Sequence, residues 1–576
     1  MTGRAREVES GRRGMLAMTA SSMIALHLPA QAGLSARAAP TIETAAGRIR
    51  GTNENGVMRF LGIPYAQSIA GRNRFAPPVP VRPWPGVRPA DRFAPSSPQQ
   101  PEHVGTPVSA AFTPPAYVGA DDDCLALNIW APANGQPSLP VMVWLHGGGW
   151  ISGSGSNPVT QGHNLAASEN VVVVTLNHRL GASGLTDFSR VIGGEFAQSA
   201  NLAMRDIVAA LTWVRENIAA FGGDPRSVTV FGESGGGWKV CTLLGIPSAK
   251  DLFHRAIVQS GPLTHFYRPD EADALARSVL SALGVTARSA NKLNHLGAQE
   301  VIAAEAQVLA KVPRSMHAPG FPGGFWPVID GDIIPAHVFA PQAAPSSLEV
   351  PLLIGQNGTE FTLFMLDDPA AYVLNEAGLV QRVRQSFGKD AADRILAVYR
   401  RDYPRDDPAR LWFRLYSDYG MGALNATIMD RRSIAGAAPV YAYRFEWQTP
   451  IVGGKLHSPH TIEIPFVFDN VDTSAGAMMT GAAPGAAALA ATVSGAWVEF
   501  ARTGTPAAAG LPPWPAYSSD NRQCMRIDVA SHAGPFMERP MIELFQQILW
   551  RRAGLNDDGN GPAAATDSRR HGIRER

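Results

Sequence analysis

Short apolar, β-branched runs alternate along the chain with longer segments in which apolar residues return every three or four positions. The two periods predict buried strands and amphipathic helices. The strand-like runs are 139–145, 171–176, 228–231, 256–259, 352–354, 440–447 and 524–527. Between them, 204–219 sets Ile207, Leu211, Val214 and Ile218 on one helical face, and Phe221-Gly222-Gly223-Asp224-Pro225 ends that helix. Residues 238–244 return to helical spacing, and 488–502 predicts a last long helix. Helical patterns at 271–284 and 300–312, then across 379–436, predict two insertions that roof the sheet. Strand and helix in alternation imply a mostly parallel central sheet flanked by helices, an α/β fold. Near the start, 41–50 and 57–63 flank the turn-rich Gly51-Thr52-Asn53-Glu54-Asn55-Gly56, which predicts a hairpin of antiparallel edge sheet. Residues 76–115, rich in proline, predict an irregular surface excursion.

Composition adds bounds to this picture. With 576 residues, 45% hydrophobic, 17% charged and a net charge of +1, the chain reads as one large soluble domain without the basic footprint of a nucleic-acid binder. Cys124, Cys241 and Cys524 are far apart and in no metal-ligand spacing, so neither a metal site nor a disulfide framework is expected. Arg12-Arg13 precedes an apolar run at 15–28, with small residues at Ala30-Gln31-Ala32. That run is too short for a membrane span and predicts an export signal, resembling the twin-arginine kind, within 1–39. A periplasmic or secreted protein is expected. The domain then covers 40–552, and 553–576, without periodicity, predicts a disordered tail.

The candidate chemistry centres on Gly232-Glu233-Ser234-Gly235-Gly236, which sets a serine between glycines after a β-type run and before a helical one. A nucleophile on such a turn has strained dihedrals, and its neighbours must lack a Cβ where backbone crowds backbone. The turn would aim the Gly235 N–H at an oxyanion formed on Ser234. A second glycine run, Gly147-Gly148-Gly149, follows the apolar run at 139–145 and can turn its N–H groups toward the same place. It lacks the ending of a phosphate-binding loop. A serine hydrolase of this kind also needs a carboxylate and an imidazole after later strands. Glu360 fits the carboxylate, and His457 or His460 the imidazole.

Taken in order, several stretches resemble the type-B carboxylesterase family, which has the α/β-hydrolase fold. They are Phe60-Leu61-Gly62-Ile63-Pro64-Tyr65-Ala66, Asp123-Cys124-Leu125-Ala126-Leu127-Asn128-Ile129, His146-Gly147-Gly148-Gly149-Trp150, Asn177-His178-Arg179-Leu180-Gly181, the serine motif, and Glu463-Ile464-Pro465-Phe466-Val467-Phe468. The resemblance implies His460 as the base and Glu360 as the acid, with Gly148, Gly149 and Gly235 forming the oxyanion hole. It implies supporting roles for Ser260 and Glu463 behind the histidine and for Glu233 beside the nucleophile. It further implies a small-molecule ester substrate, with aryl, branched or tertiary esters as candidates, and no cofactor. Carbamate or amide hydrolysis by the same triad, and a non-catalytic binding role, are the alternatives. Departures from the family pattern are Ser96-Ser97-Pro98-Gln99, where a cysteine partner for Cys124 is usual, Phe361 after the acid, and Ser458-Pro459 before the histidine. The loop at Cys124 is therefore expected to be held by packing.

Overall fold

The computed structural model describes residues 39–100, 107–112, 118–311 and 323–556. The expected export signal, save Ala39 of its linker, and the expected tail beyond Asn556 lie outside the described residues, while Leu555 packs into the core. Among the described residues the strands are β1 (Thr41–Thr44), β2 (Gly47–Arg50), β3 (Thr52–Glu54), β4 (Val57–Pro64), β5 (Val87–Pro89), β6 (Ala126–Pro132) and β7 (Leu139–Leu145). They continue as β8 (Val172–Leu176), β9 (Gly223–Glu233), β10 (Arg255–Gln259), β11 (Leu352–Asn357), β12 (Val440–Phe445), β13 (Gln523–Ile527) and β14 (His532–Pro535). One sheet runs in the order β14-β13-β12-β11-β10-β9-β7-β8-β6-β4-β3. Its centre, from β8 to β13, is parallel, and both ends are antiparallel.

Burial on both faces explains why the central strands read as unbroken apolar runs. In β7, Val141, Val143 and Leu145 enter one core while Met142 and Trp144 enter the other. The same alternation holds in β10, with Ala256 and Val258 opposite Ile257. Helix Leu202–Asn217 covers the first face through Ile207, Leu211 and Val214. Helix Ala486–Thr503 covers the second through Leu489, Val493 and Trp497. Among the described residues no helix is long and apolar enough to cross a membrane.

The N-terminal strands differ from expectation. Residues 41–50 fold back on themselves, Thr41 pairing with Arg50 and Thr44 with Gly47, and join β5 in a separate three-stranded sheet. The partner of β4 is β3, in the register Glu54 to Val57. The loop between them is Asn55-Gly56, with φ of 48° and 84°. Positive φ at both residues is what a two-residue hairpin turn of type I′ requires, so the hairpin forms inside the stretch read as a connection.

Each candidate site residue follows the carboxyl end of a central strand: Gly147 to Gly149 after β7, Ser234 after β9, Glu360 after β11 and His460 after β12. That end of a parallel sheet is where an α/β fold opens its crevice. Residues outside the helical insertions expected at 271–312 and 379–436 reach it too: Trp326 lies 4.7 Å from Trp238 and Phe364 lies 4.7 Å from the His460 ring.

Candidate active site

Ser234 stands between β9 and helix Gly235–Leu244 with φ 56° and ψ −122°, a conformation that a residue with a Cβ rarely adopts. Hydrogen bonds on both sides hold it there. Its N–H donates to the Gln259 carbonyl at 2.9 Å, and its carbonyl accepts from Trp238 N–H at 3.1 Å. The side chain remains half-buried, open to a ligand. A Cβ added at Gly235 would lie 2.2 Å from the Gly149 carbonyl oxygen, so glycine lets the helix start touch the glycine loop.

That loop is tied by its carbonyls. The Gly147 carbonyl accepts from His146 Nδ1 at 2.9 Å, and the Gly148 carbonyl accepts from Ser152 N–H at 3.1 Å. In a trans peptide the N–H points opposite to its carbonyl, so holding these two oxygens turns the N–H groups of Gly148 and Gly149 the other way. Gly148 reaches this geometry at φ 82°. Among the described residues none of the N–H groups of Gly148, Gly149 and Gly235 has a protein acceptor.

The candidate base and acid come together across a hundred residues of sequence. His460 Nδ1 lies 2.5 Å from Glu360 Oε2. A carboxylate only accepts, so Nδ1 carries the proton and Nε2 is left to receive one. Glu360 is fully buried, and its other oxygen accepts from Ser260 Oγ and from the Asn357 N–H, both at 2.6 Å. Ser260 thus backs the acid and not the imidazole. His457 stands apart: burial and the Arg410 charge push its pKa down to about 4, and it bonds to none of these groups. Glu463 accepts from Asn357 Nδ2 at 2.6 Å and from Gln259 Nε2 at 3.2 Å, and burial pushes its pKa up to about 7.

His460 Nε2 lies 3.1 Å from Glu233 Oε1, and no hydrogen bond links Ser234 Oγ to His460 among the described residues. Burial disfavours the imidazolium, yet the carboxylates of Glu233 and Glu360 outweigh it and raise the His460 pKa to about 9. Burial also raises Glu233 well above the usual carboxylate range. Each member's charge shifts the other, so the two titrate as a unit.

Sequence reasoning missed several participants. Asn357 lies three residues before Glu360, where a turn returns its N–H to the carboxylate. Lys239 falls among Val240, Cys241 and Thr242 in a buried helix, an odd place for a charge and the signal that could have found it. The cysteines are free and buried, and Cys124 packs in the hydrophobic core beside Leu125. Gln99 exchanges two bonds with Gly153, at 2.8 and 3.0 Å, which ties the segment at Ser96 to Gln99 to the end of the glycine loop.

A half-buried serine beside three unpaired N–H donors, with a buried imidazole oriented by a carboxylate, is equipped for acyl transfer. The family model described as the carboxylesterase family matches residues 38–542. Para-nitrobenzyl esterase of Bacillus subtilis strain 168 is 33% identical over 487 residues, 84% of this chain and 94% of that protein. Phenmedipham hydrolase of Pseudarthrobacter oxydans is also 33% identical, over 485 residues, 84% of this chain and 94% of that protein. The crystal structure of the Geobacillus stearothermophilus carboxylesterase matches with a TM-score of 0.73 at 34% identity, covering 88% of this chain and 100% of that one. The chain belongs to the carboxylesterase family, with the α/β-hydrolase fold and ester hydrolysis as its activity.

Proposed function

We propose that this ester hydrolysis runs through an acyl-enzyme on Ser234. His460, held by Glu360, takes the Oγ proton as the serine attacks the ester carbonyl, and the N–H groups of Gly148, Gly149 and Gly235 receive the oxyanion. The imidazolium then protonates the leaving alcohol, and water repeats the sequence on the acyl group. The observation that carries this reading is the 2.5 Å contact between His460 Nδ1 and Glu360 Oε2, which fixes the tautomer that a general base needs. The substrates proposed are short-chain esters with bulky or aromatic parts. Trp238, Trp326 and the exposed ring of Phe364 stand around the serine and histidine, and one relative is named for a nitrobenzyl ester. The test is labelling with a fluorophosphonate followed by peptide mass spectrometry. Adduct on Ser234 alone, with loss of p-nitrophenyl butyrate hydrolysis in step, is expected. Full inactivation with the adduct on another residue would sink the assignment.

The charge arrangement gives the pH dependence its sign. Acyl transfer needs neutral imidazole, so kcat/KM falls as pH drops through the His460 pKa. That pKa is raised, to about 9, so the acid limb is expected above the usual imidazole range of about 6.5. Glu233→Gln removes a carboxylate that favours the imidazolium, and the limb should move to lower pH. An unmoved limb would show that Glu233 carries no charge in the working enzyme.

A further inference from the structure

Lys239 is fully buried on the helix that begins at Gly235. Its Nζ donates to the His146 carbonyl at 2.8 Å and to the Gly149 carbonyl at 3.1 Å. It also lies 5.4 Å from the centre of the Trp150 ring, a distance at which a cation is attracted to the π face. No carboxylate pairs with it among the described residues. The two imidazoles beyond it, His146 and His178, stack at 4.7 Å and are kept neutral by burial and by the lysine's charge. Burial without a counter-ion pushes the lysine's own pKa down to about 7. A lysine in this setting is costly to the fold, and its two carbonyl partners are the ends of the glycine loop.

The position on the helix matters. Residues four apart on a helix share a face, so the face that presents the start of the helix to the Gly149 carbonyl also presents Lys239 to that loop. With Gly147 and Gly148 tied by His146 Nδ1 and Ser152, every carbonyl from His146 to Gly149 is held, two of them by one ammonium.

We infer that Lys239 is a positioning residue for the oxyanion hole, clamping the glycine loop to the helix that carries Gly235 and so fixing the three N–H donors relative to one another. This rests on the acyl-transfer reading above. Oxyanion donors act in the transition state, so a loosened hole lowers kcat more than it raises KM.

The experiment compares the full chain with Lys239→Met, which keeps length but loses both donors, and with Lys239→Gln, which keeps a neutral donor. Turnover of p-nitrophenyl butyrate is expressed per serine titrated by fluorophosphonate, so misfolded molecules do not count. Inhibition by an alkyl trifluoromethyl ketone, whose serine adduct carries an oxyanion, is measured beside it. Lys239→Met is expected to lose about 10- to 100-fold in kcat per titrated serine, with KM within about threefold, and to bind the ketone more weakly by the same factor. Lys239→Gln should recover part of both. Unchanged turnover per titrated serine in Lys239→Met would overturn the proposal, as would a fall in turnover with ketone affinity intact. If the native chain itself neither titrates nor binds the ketone, the acyl-transfer reading fails, and the proposal with it; that failure is distinct because it appears without any substitution.

Discussion

Ser234→Ala is expected to lower kcat for p-nitrophenyl butyrate by a factor on the order of 10⁶ while leaving the fold intact. The hydroxyl makes no hydrogen bond among the described residues, so its removal leaves no buried partner unsatisfied. The turn itself is set by glycines and by the backbone bonds to Gln259 and Trp238, which alanine keeps. The melting temperature should therefore stay within about 2 °C of the native value. The strain at φ 56° gives a second measurement. Ser234→Gly, which can adopt that conformation freely, should be more stable than Ser234→Ala by roughly 1 kcal/mol, though equally inactive. Together the two variants separate chemistry from folding. Retained turnover in pure Ser234→Ala would remove this serine as the nucleophile.

The parts of the fold that were legible in the sequence are those whose residues meet one environment throughout. The runs at 139–145 and 256–258 are apolar at every position because both faces of the sheet are covered, so burial and strand assignment coincide. Ile207, Leu211, Val214 and Ile218 were legible for the same reason, one face against one core. At Ala45-Ala46 the turn between β1 and β2 is marked only by the single glycine that follows, Gly47 at φ 135°, and the strand is read as continuous. The elbow and the glycine loop announce themselves because their geometry demands glycine locally. The choice between His457 and His460 was not open to local reasoning, since it depends on which imidazole the fold brings to Glu360, one hundred residues earlier. Asn357 and Gln259 act through contacts with carboxylates on other segments, and a side chain's distant partner leaves no mark on its own neighbours in sequence, whereas Lys239 is marked as a charge within a buried helical run.

Glu360→Gln is expected to reduce kcat about 10⁴-fold with little change in KM or stability, and the reason lies in which donors its two oxygens face. Oε1 accepts from Ser260 Oγ and from the Asn357 N–H, both at 2.6 Å. An amide can satisfy those donors only by placing its oxygen there. Its NH₂ group must then take the place of Oε2 and point at His460 Nδ1, which in the native protein donates across 2.5 Å. Two donors cannot share that contact, so the imidazole adopts the other tautomer, with its proton on Nε2 and nothing left to receive the proton of Ser234. The buried network stays satisfied, which is why the fold should tolerate the change. Glu360→Ala tests the same point from the other side. It leaves the Ser260 hydroxyl and the Asn357 N–H buried without an acceptor, at a cost of about 1–3 kcal/mol each, but it imposes no tautomer on the imidazole. A kcat for Glu360→Gln within tenfold of native would mean that the carboxylate does not orient His460 during turnover. If Glu360→Gln is instead the less active but the more stable of the two variants, the carboxylate's contribution to catalysis is the choice of tautomer, separable from its contribution to the fold.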